Sequence, residues 1–307
     1  MNNNSTKAII ITIVFVFLFS YFLGEYRGGG DYAFHFEKAN QGCDLTDVAC
    51  KSYAPLFHWI VGPFAAHDNS FFYFVVFLLA FVVPMLLFLI TKDWIVTWFY
   101  FSTTSFFYFF IDGIFAQATA MILLLLLIYF KDWRIQSLIV ILGMIAHGHG
   151  FFLLSIVFVI INFFKLLDEE NWLKITPACS GAFGNNRPEF LAQPIDGLTT
   201  TGVQFTVADA LIPFTKVFPF PYFVLSVWYS WKNKVNLDLV VISFVAILAG
   251  FLVSHRIFYI IPLVLLPGLV LFYRSLIGWP RLLFLFSTLI VFVFQLYSWI
   301  NFKLVCA

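Results

Sequence analysis

The sequence predicts an all-α integral membrane protein, a polytopic bundle of about nine transmembrane helices with a long first external loop that contains interfacial helices. Three observations carry this prediction. Of 307 residues, 62% are hydrophobic and only 11% charged, with a mean hydropathy of +0.95, which is the composition of polytopic membrane proteins rather than of soluble domains. Apolar runs of about 20 residues, the length a helix needs to cross a bilayer core, recur along the chain. Lys and Arg fall at alternate ends of consecutive runs, as the positive-inside rule requires. A formal net charge of +1, with no clustered basic face, excludes a nucleic-acid partner.

The first run, residues 8–23, follows Lys7 in the manner of a signal peptide. Gly24, Glu25, Tyr26 and Arg27 then supply no small-residue cleavage pattern, so the run reads as a retained signal-anchor helix. Further crossings are expected at 71–91, 94–111, 114–130, 135–165, 209–231, 236–254, 257–273 and 282–304. The 135–165 run is long for one crossing and is interrupted by His147, Gly148, His149 and Gly150. We expect one crossing broken at the glycines, or one that continues as a helix in the outer interface, rather than a hairpin, and the break points to a cavity, because irregular backbone at membrane depth needs protein or water around its polar groups. The 43 phenylalanines are read as lipid-facing and interhelical packing.

Lys7, Lys92, Lys131 with Arg134, Lys232 with Lys234, and Arg274 with Arg281 all belong to one side, the cytoplasmic one. The expected protein is therefore multi-pass, a single transmembrane domain over 1–307 with a cytoplasmic N-terminus. Two long loops, 24–70 and 166–208, are placed outside the cytoplasm together with Asp112, His255 and Arg256.

The chemistry is expected in the first of these loops, from Gly28 to Ile60. Asp31 follows three glycines and begins a helix expected over 31–40, which sets His35 one turn on, on the same face. Such a pair can act as a general base or share a cation, or Asp31 can simply cap the helix. Tyr53, Ala54, Pro55, Leu56, Phe57, His58 and Trp59 suit an interfacial helix that returns the chain to the membrane, which leaves His58 unexplained. Cys43 and Cys50 share this loop and can bridge or stay as free thiols. His147 and His149 do not share a face of a regular helix; they form a metal pair only if the glycines open the turn, and otherwise line a polar space. Arg256 has a planar fork suited to phosphate, or anchors the helix end at the interface.

On these residues the chain resembles the GT-C superfamily of membrane glycosyltransferases, mannosyltransferases among them. Members carry an acid soon after the first transmembrane helix, here Asp31 between Gly30 and Tyr32, and then a Tyr-Pro-Pro-Leu-like segment, here Tyr53, Ala54, Pro55 and Leu56. Ser254, His255, Arg256, Ile257, Phe258 and Tyr259, with Pro262 and Pro267 beyond, are similar to the Arg-Tyr-x-x-Pro ending of the last luminal loop in several such families. The resemblance implies a polyprenyl-phosphate-linked sugar as donor, a glycan, lipid or protein as acceptor, and a membrane-lipid setting. It implies Asp31 as the base for the acceptor hydroxyl and Arg256 as a partner for the departing phosphate, with His255, His58, His35 and Tyr53 holding substrate. A lone Asp31 stands where many members have paired acids, so a divalent cation is left open and no other cofactor is expected. The competing readings are a transporter or flippase, which would place ionisable groups within the spans, and a non-catalytic subunit of a glycan-assembly complex.

Overall fold

The computed structural model describes residues 3–23, 29–42, 55–103, 117–146, 154–163, 218–252 and 260–306. Among these residues every regular element is helical. In chain order they are α1 (Asn3–Leu23), α2 (Gly29–Gln41), α3 (Pro55–Val61), α4 (Asp68–Thr91), α5 (Ile95–Thr103), α6 (Gln117–Tyr129), α7 (Trp133–Ala146), α8 (Leu154–Phe163), α9 (Phe220–Asn233), α10 (Leu237–Leu252), α11 (Ile261–Ser275) and α12 (Trp279–Cys306). Three of them hold stretches long and apolar enough to cross a membrane, Asn3–Phe22, Asp68–Thr91 and Trp279–Tyr297. The others are shorter, so the described helices do not establish nine full crossings.

The centre of the bundle is α4, α5 and α11, with α1, α6, α9, α10 and α12 packed around them. Phe71, Phe72, Phe99, Tyr100 and Phe101 are fully buried there, and the phenylalanines make an aromatic core: Phe15 of α1 stacks on Phe101 of α5 with centroids 4.1 Å apart. Aromatic pairs of this kind add to the packing energy without needing a polar partner. Midway along α4, Leu78–Val82 forms a π turn, and the Tyr100 hydroxyl donates to the Leu79 carbonyl at 2.9 Å. A wide turn of this kind holds one residue more than an α-turn and leaves a backbone carbonyl to be satisfied from outside the helix.

One end of the bundle gathers the basic turns. Lys7 lies over the Trp94 ring, Lys92 over Tyr129 and Arg281 over Tyr273. Asp93 ties the α4–α5 turn to the end of α11: its Oδ1 accepts from the Ile95 amide as the cap of α5, and its Oδ2 accepts from Arg274 Nε. The α11–α12 turn closes through Gly278 at φ +67°, a left-handed backbone that glycine adopts without strain. At the same end the Gln136 amide donates to the Leu127 and Phe130 carbonyls. The α9 helix runs alongside α11 in the same direction, Ser226 meeting Leu265 and Tyr229 meeting Phe272, which brings Lys232 and Lys234 to this end as well. The alternation of basic residues read from the sequence is thus a geometric gathering. Asp93→Ala should lower stability by about 2 kcal/mol by removing both cap and ion pair, whereas Asp93→Asn, which retains a capping oxygen, should cost roughly half as much; unfolding midpoints in detergent measure both.

The 135–165 run departs from expectation. It is two helices, α7 and α8, and Asn162 near the end of α8 donates to Gln136 near the start of α7 at 3.1 Å, so the pair is antiparallel and returns to the basic end. Both amides are buried, and a buried side-chain amide pair locks the two helices in register where apolar contacts alone would let them slide. The physical signal in the sequence was the very break at His147–Gly150. Consequently the chain leaves Phe163 at the basic end, while α9 runs toward that end; the loop expected over 166–208 lies outside the described residues.

Candidate functional site

The first loop folds into α2 and α3, which lie at the end of α4 away from the basic turns. The helix expected over 31–40 is present as α2, with Asp31 in its first turn. Pro55 opens α3, the position where its missing N–H costs nothing. The Tyr32 hydroxyl donates to Asp68 Oδ1 at 2.7 Å and reaches the Asp68 carbonyl at 3.1 Å, fastening α2 to the start of α4. Ala39 and Gly62 are close enough that a Cβ at Gly62 would lie 3.4 Å from the Ala39 carbonyl. The two loop helices therefore pack on each other and on the bundle, with α3 resting on α4, α6 and α7.

Between them two histidines meet. His35 Nδ1 lies 2.9 Å from His58 Nε2, the rings 5.1 Å apart and tilted by 35°, and each side chain is only 1% exposed. Phe57 stands edge-on to His35, and Phe36 and Tyr32 pack on Phe71, so the pair sits in an apolar wall. Burial, with Lys38 nearby adding to it, holds His58 down at about 4 from its ordinary 6.5, because a second positive charge in a dry site is unfavourable. His58 is therefore neutral near pH 7. One ring of the pair donates and the other accepts, which couples their tautomers. The other nitrogen of His58, Nδ1, is buried and has no hydrogen-bond partner among the described residues.

A neutral imidazole with one nitrogen engaged and the other open is a chemically useful group. If His58 Nε2 donates to His35, its Nδ1 presents a lone pair to an incoming hydroxyl; in the opposite tautomer Nδ1 offers an N–H. The sequence had linked His35 to Asp31 and left His58 as a separate substrate contact. The structure joins His35 to His58 across 23 residues of chain, a pairing that no local periodicity could reveal.

Other predicted residues fall outside the described residues: the Asp31 side chain, Tyr53, His147, His149, His255 and Arg256, and also Cys43, Cys50 and Asp112. The described helix ends that flank several of them, Thr103 and Gln117, Ala146 and Leu154, Leu252 and Ile261, are the ends directed away from the basic turns. Three buried polar atoms that sequence reasoning passed over belong with them. Ser102 Oγ, Gln117 Oε1 and Thr119 Oγ1 have no hydrogen-bond partner among the described residues, and they lie where α5 ends and α6 begins. Buried polar groups are nearly always satisfied in folded proteins. Their signal in the sequence was only that of single polar residues bordering apolar runs. No group of three His, Cys, Asp or Glu side chains that could hold a metal ion occurs among the described residues. Compared with known proteins, the chain matches no family model, no curated protein and no solved structure.

Proposed function

We propose that this chain is an integral-membrane glycosyltransferase that takes a sugar from a polyprenyl-phosphate carrier and transfers it to a hydroxyl acceptor on the extracytoplasmic side. The observation that carries the reading is the α2–α3 clasp: helices of the first loop at the end of the bundle opposite the basic turns, built round a buried histidine pair in which His58 is neutral and its Nδ1 has no hydrogen-bond partner among the described residues. A donor joined through phosphate already has its leaving group, so what the protein must add is a base for the acceptor and positive charge for the departing phosphate. In this reading Asp31, in the first turn of α2, takes the acceptor proton. His58 orients the acceptor or donor through Nδ1, His35 fixes the His58 tautomer, and Arg256 with His255 receives the phosphate. Tyr53, His147 and His149 complete the substrate contacts.

The distribution of charge supports this reading over a transporter. Among the described residues the buried carboxylate is Asp93, at the basic turns rather than within a span, whereas transport pathways place ionisable groups near the midplane. The test is transfer of radiolabelled sugar from polyprenyl-phosphate donors by the purified protein. Asp31→Asn is expected to lower transfer by roughly 10²–10⁴-fold, the usual contribution of a general base. Transfer that persists unchanged in Asp31→Asn removes Asp31 as the base, and no transfer with any donor moves the assignment to a transporter or a non-catalytic subunit.

A further inference from the structure

The basic end holds a feature that neither the positive-inside pattern nor the proposed chemistry explains. Two hollows lie side by side at the α11–α12 turn and share a wall. The first, a cleft of about 320 Å³, is lined by Asn4, Asp93, Trp94, Ile95, Tyr273, Arg274 and Arg281. The second, a groove of about 430 Å³, is lined by Tyr273, Gly278, Trp279, Arg281, Leu282 and Leu285. Tyr273 and Arg281 belong to both. One is polar and cationic, the other almost wholly apolar.

The charges in the cleft do not balance. Asp93 is engaged by Arg274 through Nε, and the Nη donors of Arg274 have no partner among the described residues. Arg281 lies over the Tyr273 ring at 4.5 Å with no carboxylate partner among the described residues. Two arginines thus line a cleft that holds one buried carboxylate, and their planar forks suit a phosphate oxyanion. The groove continues along the exposed flank of α12, where Trp279 is 76% exposed and Leu282 58% exposed. Tryptophan so placed belongs at the boundary between headgroups and hydrocarbon.

We propose that the two hollows form one binding site for an anionic glycerophospholipid, its phosphate in the cleft between Arg281 and Arg274 and an acyl chain in the groove along Trp279, Leu282 and Leu285. Arg281 sits at the junction, where headgroup meets chain, and its place over Tyr273 holds the guanidinium toward the cleft. A free phosphate would use the cleft alone; only a lipid uses both. The site is independent of the glycosyltransferase reading and lies at the opposite end of the bundle from the histidine pair.

The experiment is delipidation of the detergent-purified full chain, followed by titration with three probes: an anionic phospholipid with one phosphate and no compensating amine, phosphatidylcholine, and inorganic phosphate. Binding is read by native mass spectrometry and by quenching of tryptophan fluorescence with brominated acyl chains. The anionic lipid is expected to bind at least ten-fold more tightly than phosphatidylcholine. Arg281→Gln should weaken the anionic lipid at least five-fold, Arg281→Lys less, and Leu285→Asn should reduce quenching while leaving the thermal midpoint within a few degrees of wild type. Equal binding of the two lipids overturns the proposal, as does an Arg281→Gln variant that is folded and retains wild-type affinity. Inorganic phosphate that binds as tightly as the anionic lipid, or displaces it at equal concentration, overturns the lipid as the ligand. Leu285→Asn with wild-type affinity and quenching removes the groove.

Discussion

Gly268→Val is expected to be the most damaging single substitution in the described bundle, lowering stability by about 3 kcal/mol. A Cβ at Gly268 would lie 2.6 Å from both Ser226 Oγ and Ser230 Oγ, and 3.2 Å from the Ser226 carbonyl. Three small residues therefore set the distance between α9 and α11, as small residues do where membrane helices touch. Ser226 cannot simply turn aside, because its Oγ already donates to the Leu265 carbonyl at 2.6 Å. Gly268→Ala is expected to cost about 1 kcal/mol, since alanine's better helix propensity offsets part of the clash. In a Ser226→Ala, Ser230→Ala background most of that cost should vanish, which a double-mutant cycle on unfolding midpoints in detergent would read as positive coupling. An additive cycle would mean that the backbones, rather than the hydroxyls, set the spacing.

Acidification should open the α2–α3 clasp. His58 titrates at about 4 in the folded protein against 6.5 when free, so the open form binds the proton more readily than the closed one. The closed clasp is fully stable above about pH 6.5; it loses stability as the pH falls from 6.5 toward 4, by at most about 3 kcal/mol, and below 4 the loss levels off. Hydrogen exchange of the α2 and α3 amides should rise over that window while the central helices α4, α5 and α11 stay protected. His58→Phe, which fits the aromatic wall and removes the titrating ring, should flatten the profile. A pH step that survives in His58→Phe would assign the transition to another group.

The distribution of what was legible in the sequence follows the range of the forces involved. Composition and apolar run length announce helices, and α1, α4 and α12 stand where the runs at 8–23, 71–91 and 282–304 placed them, extended by a few residues. The basic residues at alternate ends do gather at one end, because a charge at a turn is a local fact about that turn. α2 was readable for the same reason: three glycines, an acid and a polar run make a helix start without help from elsewhere. The pairing of His35 with His58, the bond between Asn162 and Gln136 that turns 135–165 into a hairpin, and the ion pair of Asp93 with Arg274 are contacts between distant segments. Each joins one polar side chain to another far along the chain, and no period of 3.6 residues records such a partner. The buried polar atoms of Ser102, Gln117 and Thr119, without a partner among the described residues, were likewise invisible, since burial is a property of the packed bundle.

The π turn in α4 has a consequence for how the two ends of the molecule are phased. Each residue of an α-helix advances about 100° round the axis, so one residue added at Leu78–Val82 sets Asp68 and Phe71, which hold α2, at a different azimuth from the C-terminal part of α4, which packs on α5 and α6. Deleting a single residue there would restore a regular helix and turn the face that holds the clasp by roughly a quarter turn, away from the α6 and α7 surfaces on which α3 rests. The Tyr100 hydroxyl on Leu79 acts as the index mark that records this offset, and α4 serves less as a strut than as a crankshaft whose two throws are cut at fixed angles.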